Sequence, residues 1–195
     1  MKYLILALTL ASCVPTAKQD APIEVVPTPQ ELVDKLLAID PAKFPETPHW
    51  AVPEYEQIIL ETLKLFPVKQ LPCSPIVTFK GIVNAESSFK KSSRYLESFG
   101  VYSIGLMQLS VSDEKRYFCG FKTEADVINP IRNLYCGVKV FHTLENKYPK
   151  ESFYEYGGRY FSTLRWDRYP VWKGKTQSGW NRVRDYWKKN GCLVK

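Results

Sequence analysis

The chain has 195 residues, with 45% hydrophobic and 24% charged side chains. That balance suits one compact domain with an extension, and it excludes wholesale disorder, a collagen-like repeat and a polytopic membrane protein. The formal net charge of +7 points to anionic partners and says nothing of fold.

Residues 1–12, MKYLILALTLAS, place one cation, Lys2, before an apolar run from Tyr3 to Leu10 and then small residues. This is the plan of an export signal. It is too short for a membrane-spanning helix of about 20 residues, and it lacks the polar face of a buried amphipathic one. Leu10-Ala11-Ser12-Cys13 resembles a bacterial lipobox, which implies cleavage before Cys13 and lipidation of that cysteine. Since Val14 is not acidic, the resemblance implies an outer-membrane lipoprotein facing the periplasm. Two or more acyl chains hold a protein stably at a membrane. Residues 13–27 include Pro15, Pro22 and Pro27 and few large apolar side chains, and they read as a semi-extended tether.

Residues 28–73 read as a helical N-terminal extension. Thr28-Pro29-Gln30-Glu31 is a capping box with proline at the first helical position, ahead of Leu32, Leu36 and Leu37. Pro41, Pro45, Pro48 and Pro53 then break the chain, and a stronger helix is predicted over 54–66. Residues 74–195 read as a mainly α domain with a small irregular or β-hairpin lobe. Ser74-Pro75 starts a helix running through IVTFKGIVNAESSF. Helical periodicity is lost over 90–103, where a loop or small hairpin is predicted, and Gly105 to Ser110 is predicted to begin another helix. Asn129-Pro130 starts a long helix reaching toward Tyr148, with Ile131, Leu134, Val138 and Phe141 in its buried stripe. Shorter helical pieces are predicted over 151–161 and 180–189.

With Cys13 assigned to the lipid anchor, 5 − 1 = 4 cysteines remain: Cys73, Cys119, Cys136 and Cys192. An even count in an exported chain predicts two disulfides, and four cysteines allow three pairings. We expect a local Cys119–Cys136 clip and a Cys73–Cys192 bridge tying the chain end to the core, although spacing leaves the other pairings open. No metal site is expected, since His49 and His142 lie far apart and no CxxC or HxxxH spacing occurs.

Glu86 is the carboxylate that stands out. Val83, Ile82 and Phe79 lie three, four and seven residues before it, so all four share one helix face. A carboxyl on an apolar flank is desolvated and its pKa rises, as a general acid working near neutral pH requires. The plainer alternative is a solvated residue near a helix end.

Glu86-Ser87-Ser88-Phe89, followed by Ser103-Ile104-Gly105-Leu106-Met107-Gln108-Leu109, resembles the lytic transglycosylase and goose-type lysozyme family of peptidoglycan-cleaving enzymes. The resemblance covers about residues 74–189 and implies a lysozyme-like fold. It implies Glu86 as the catalytic acid, facing the GLMQ run across a substrate groove. Gly105 would let the chain approach the sugar, Gln108 would hold its hydroxyls, and Met107 would pack or line the groove wall. Asn129-Pro130-Ile131-Arg132-Asn133 resembles the family's capped start of a long helix. Tyr154-Glu155-Tyr156-Gly157-Gly158 resembles its Tyr-Asn-x-Gly segment, which implies that Tyr156, or Tyr154 if the alignment slips, points at Glu86. Two features depart from the family: Gly157 stands where Asn is expected, and the stretch between Glu86 and Gly105 is longer. Ser103, in place of the usual residue before GLMQ, would bond the substrate's acetamido group or cap a helix at Gly105.

From Arg159 to Lys195 there are ten Lys/Arg and two acids, and four of the five tryptophans. Cations with interleaved aromatics suit single-stranded nucleic acid or an anionic glycan. The export signal favours the glycan, so no nucleic-acid partner is expected, and Trp180 and Trp187, seven apart, read as core.

Three functions follow. The first is a membrane-anchored lytic transglycosylase in which Glu86 alone serves as acid and then base at the bond between N-acetylmuramic acid and N-acetylglucosamine, leaving a 1,6-anhydro end. The second is a hydrolase of that bond with Glu97, or less readily Asp113, as a second carboxylate. The third is a wall-binding lipoprotein without turnover, for which Gly157 speaks. Peptidoglycan strands are the expected partner, a monomer the expected state, and neither metal nor cofactor is needed.

Overall fold

A computed structural model of the chain describes residues 28–44, 53–98, 100–166, 168–174 and 179–192. The expected export signal, the expected lipidation site Cys13 and the expected tether lie outside them. The fold is mainly α and lysozyme-like, with one two-stranded hairpin among the described residues.

Helix α1, Pro29–Leu37, opens on the Thr28–Glu31 capping box, in which the Glu31 carboxylate accepts from the Thr28 amide at 2.6 Å. Helix α2, Pro53–Leu65, follows. Both pack into the same core as everything downstream, through Leu36, Tyr55, Ile58 and Ile59. The segment after α2 is pinned by a buried carboxylate: Glu145 accepts from the amides of Lys69 and Gln70 at 2.9–3.1 Å. Burying that charge is tolerable because charge-assisted hydrogen bonds satisfy it.

Helix α3, Pro75–Ser87, starts on a Ser74 cap and ends where Ser88 turns left-handed at φ 53°. The hairpin comes next, β1 Arg94–Leu96 against β2 Tyr102–Ile104, in antiparallel register with Tyr95 opposite Ser103. The Gly105–Gln108 run is a turn rather than the start of a helix. Gly105 at φ +83° and Gln108 at φ 47° fold it back, so that Ile104 and Leu109 bridge each other. Two short helices, α4 Glu114–Tyr117 and α5 Glu124–Ile128, lead into the long α6, Pro130–Lys147, capped by the Asn129 side chain. The helix predicted over 151–161 is only α7, Phe153–Gly157, followed by a 3-10 turn at Ser162–Leu164. Helix α8, Gly179–Lys189, closes the chain onto α3.

Two packing details set the walls of the site. Phe141 of α6 stacks between Phe153 and Phe161, with ring centroids 4.9 and 4.7 Å away. Gly81 of α3 meets Trp187 of α8 so closely that a Cβ there would lie 2.2 Å from the indole nitrogen, which donates to the Thr78 carbonyl. Trp180 and Trp187 are both buried. Disulfides join Cys73 to Cys192 and Cys119 to Cys136, the first tying the approach to α3 to the residues after α8.

Candidate active site

A groove of about 830 Å³ runs between the end of α3, the hairpin and the segment after α7. Glu86, Glu97, Ser103, Gln108, Asp113 and Tyr160 all line it.

Glu86 occupies the last turn of α3, on the face its spacing predicts. Phe79, Ile82 and Val83 beneath it are 0–1% exposed, while Glu86 itself is half-buried at the groove. Burial pushes its carboxyl up to about 7. The Thr163 hydroxyl, which donates to Glu86 Oε1 at 2.6 Å, is the largest opposing influence, followed by the charge of Arg182. The negative charge of Glu97 adds to the upward push, and Arg165 pulls the other way. A proton is therefore held near neutrality by an apolar floor and a second carboxylate within electrostatic reach.

The facing turn is clamped from behind by Asn133, which is fully buried on α6. Its Oδ1 accepts from the Met107 amide at 2.7 Å, and its Nδ2 donates to the carbonyls of Ile104 and Val127 at 3.0 and 2.8 Å. Gly105 is required here by its positive φ and by Asn133, whose amide nitrogen lies 2.5 Å from where a Cβ would sit. The glycine thus serves the turn's packing rather than an approach of backbone to sugar. Gln108 donates both amide hydrogens, to Gly105 O at 2.8 Å and Ser93 O at 3.2 Å. What it offers the groove is its carbonyl oxygen, an acceptor for a hydroxyl. Ser103 caps no helix; its hydroxyl donates to Glu97 Oε1 at 2.6 Å and so orients that carboxylate in the groove.

Two expected site residues are elsewhere. Met107 is fully buried, with its side chain against Gly137 of α6, and does not line the groove. Tyr156 is also fully buried, and its hydroxyl donates to Glu145 at 3.4 Å. Burial followed by the Glu145 charge drives its pKa upward. Tyr154, the alternative, sits among Trp166, Tyr169, Trp180 and Trp187. The tyrosine in the groove is Tyr160. It packs on Tyr117 and Phe161 and donates its hydroxyl to Asp113 Oδ2, and the Glu86 charge reaches it. Asp113 is buried and also accepts from the Ser110 amide and hydroxyl, so it is occupied as an anchor for the turn. Gly157 has a packing reason: a Cβ there would lie 2.8 Å from both Leu164 and Phe141.

Sequence reading missed Thr163, Tyr160 and the clamping role of Asn133. Thr163 and Tyr160 lie in irregular chain near the 3-10 turn, where no periodicity marks a facing side. Asn133 carried a signal, a polar residue inside the apolar stripe of α6.

The Transglycosylase SLT domain model matches residues 72–169. The chain belongs to that family, and the match spans Glu86, Gln108, Tyr160 and Thr163. Its members are lytic transglycosylases acting on peptidoglycan, the reaction type and substrate class that family membership supports here. Among solved structures the chain is similar to Bd0314 DslA, wild-type form 2, at 22% identity and TM-score 0.54, covering 73% of this chain and 92% of that one. A glutamate-to-glutamine mutant of the same protein aligns with TM-score 0.51 over 64% of this chain and 87% of that one, at 22% identity. These likenesses carry the fold. No curated protein sequence matches the chain significantly.

Proposed function

We propose that the protein cleaves the β-1,4 bond between N-acetylmuramic acid and N-acetylglucosamine with Glu86 as the acid and then the base. Protonated Glu86 gives its proton to the bridging oxygen as the bond to C1 breaks. As a carboxylate it then takes the proton of the muramic C6 hydroxyl while that oxygen attacks C1, leaving a 1,6-anhydro end. The observation that carries this reading is the Glu86 carboxyl itself, held near pKa 7 by burial at the edge of a groove. Thr163 donates to Oε1, which leaves Oε2 to carry the transferable proton. Gln108 contributes an acceptor for a sugar hydroxyl, and Ser103 acts through Glu97.

One observation favours a second reading. Glu97 shares the groove and is close enough for its charge to raise the Glu86 pKa. An inverting hydrolase uses such a pair at ~6.5–9.5 Å, the second carboxylate activating water. The Cys13 lipid anchor, the 13–27 tether and an outer-membrane position facing the periplasm complete the proposal and bring the groove to the wall.

Digestion of purified sacculi followed by mass spectrometry of the fragments tests it. Anhydro ends are the expected product. Reducing ends would transfer the reaction to the Glu86–Glu97 pair, and cosedimentation with sacculi without release would leave a wall-binding protein. Glu86→Gln is expected to lower turnover at least about a thousandfold, at or beyond the upper part of the usual general-acid contribution, while sedimentation on sacculi persists.

A further inference from the structure

The hairpin has one face in the groove, and the more exposed of its two strand tyrosines, Tyr95, has no role in the site described above. Side chains alternate along a strand, and cross-strand partners share a face. Ser103 lies opposite Tyr95 in the register, and beyond the strands the Glu97 amide donates to the Val101 carbonyl. Residues 95, 97, 101 and 103 therefore project from one side of the hairpin. Three of them, Glu97, Val101 and Ser103, line the groove. The other face carries Arg94, Leu96, Tyr102 and Ile104, with the Arg94 guanidinium 4.3 Å from the centre of the Tyr102 ring and paired to Glu124 at the start of α5. Tyr95 thus stands on the groove face, 64% exposed, and its side chain makes no hydrogen bond or ring contact with any described residue. Two residues before it, on the same face, the Ser93 carbonyl accepts from Gln108, so along the strand Tyr95 lies between the Gln108 contact and Glu97, just beyond the lining of the groove.

We propose that the Tyr95 ring is a stacking platform for a pyranose of the glycan strand, at a position outside the bond that Glu86 would cleave. Exposing an aromatic ring costs little when it is single, but a ring aligned with three groove-lining residues is placed to bury its face only when a strand lies in the groove. A sugar ring offers a patch of C–H groups to such a face, while its hydroxyls stay available for Gln108 and the polar walls. The ring has two side-chain torsions to lose on binding, fewer than a long polar side chain. The ligand class is a β-1,4-linked hexosamine chain long enough to reach past the cleavage site to the hairpin. The inference rests on the function proposed above for its ligand, though not for its geometry.

The experiment compares the full-length protein with its Tyr95→Ala, Tyr95→Phe and Leu96→Ala variants. Each is assayed for cleavage of purified glycan strands of increasing length and, in a Glu86→Gln background, for binding to the same strands. Tyr95→Ala is expected to raise KM and Kd about tenfold on long strands, the loss of one good contact of ~1.4 kcal/mol, with kcat nearly unchanged and the penalty growing with strand length. Tyr95→Phe is expected to restore both constants, because the ring face and not the hydroxyl makes the contact. Leu96→Ala, on the opposite face, is expected to behave as the parent. Unchanged KM and Kd in Tyr95→Ala overturn the platform while cleavage by the parent upholds the enzyme. Failure of Tyr95→Phe to restore binding likewise overturns it, since the hydroxyl would then be the contact. If the parent binds strands without cutting them and Tyr95→Ala weakens that binding, the platform stands and the catalytic reading falls. A parent that binds no strand of any length overturns both.

Discussion

Glu86 stands on a helix whose Phe79, Ile82, Val83 and Ala85 are each at most 1% exposed, whereas Glu97 follows a strand, Arg94–Leu96, whose three residues are all exposed. The two walls of one groove are thus supported in opposite ways. The α3 wall is backed by Trp187 against Gly81 and by the Cys73–Cys192 bridge, and its carboxyl is desolvated by that packing. The hairpin wall is held by two short strands, an Arg94–Glu124 pair and the Ser103–Glu97 bond. The pKa of an acid depends on its surroundings staying dry and fixed, so it belongs on a close-packed helix. The hairpin wall has less packing behind it, and regions with few buried contacts open at low free-energy cost.

This contrast can be broken or sharpened by substitution. Gly81→Ala should have the largest effect on stability, about 2–3 kcal/mol of loss, as overpacking against a fully buried indole does. The shift is read from the midpoint of denaturant unfolding. Activity should fall with it as α3 moves; a change within about 0.5 kcal/mol would show that the α3–α8 contact is soft. Glu86→Gln comes next, with the opposite sign. An unfolded Glu86 ionises near 4.5, while the folded carboxyl holds its proton to about 7. The folded state binds the extra proton in that window, so its contribution is fully present below 4.5 and is lost as pH rises through 7. The shift corresponds to roughly 3 kcal/mol at most, less after screening at the groove mouth. Glu86→Gln should therefore stabilise the protein by about 1–3 kcal/mol at pH 8 and by almost nothing at pH 4, measured as unfolding free energy against pH. By the same titration, kcat/KM of the parent should fall above pH 7. Leu96→Ala should have the smallest effect, within about 0.5 kcal/mol, because its side chain is 54% exposed.

The local signals in the chain were accurate where one segment decides its own structure. The capping box at Thr28, the proline starts of α3 and α6, the loss of periodicity before Ser103 and the apolar face under Glu86 all appear in the fold. Reading failed where two distant segments decide together. The Gly105–Gln108 run looked like a helix start because Leu, Met and Gln are good helix formers. Its conformation is instead set by Asn133, 26 residues or more downstream, through the bonds to Met107 and Ile104. Tyr156 followed a motif into the wrong place: α7 ends at Gly157, and the chain turns so that Tyr160 reaches the groove.

By itself, then, the sequence determined the helical class, the family and the helix face on which the acid would stand, because short-range spacing and capping are properties of contiguous residues. Only the tertiary structure decided that Thr163 would hold that acid, that Glu97 would come within reach of its charge, and that Tyr160 rather than Tyr156 would face the groove. Those pairings join positions 11 to 77 residues apart, and they exist only once packing has closed the loops between them.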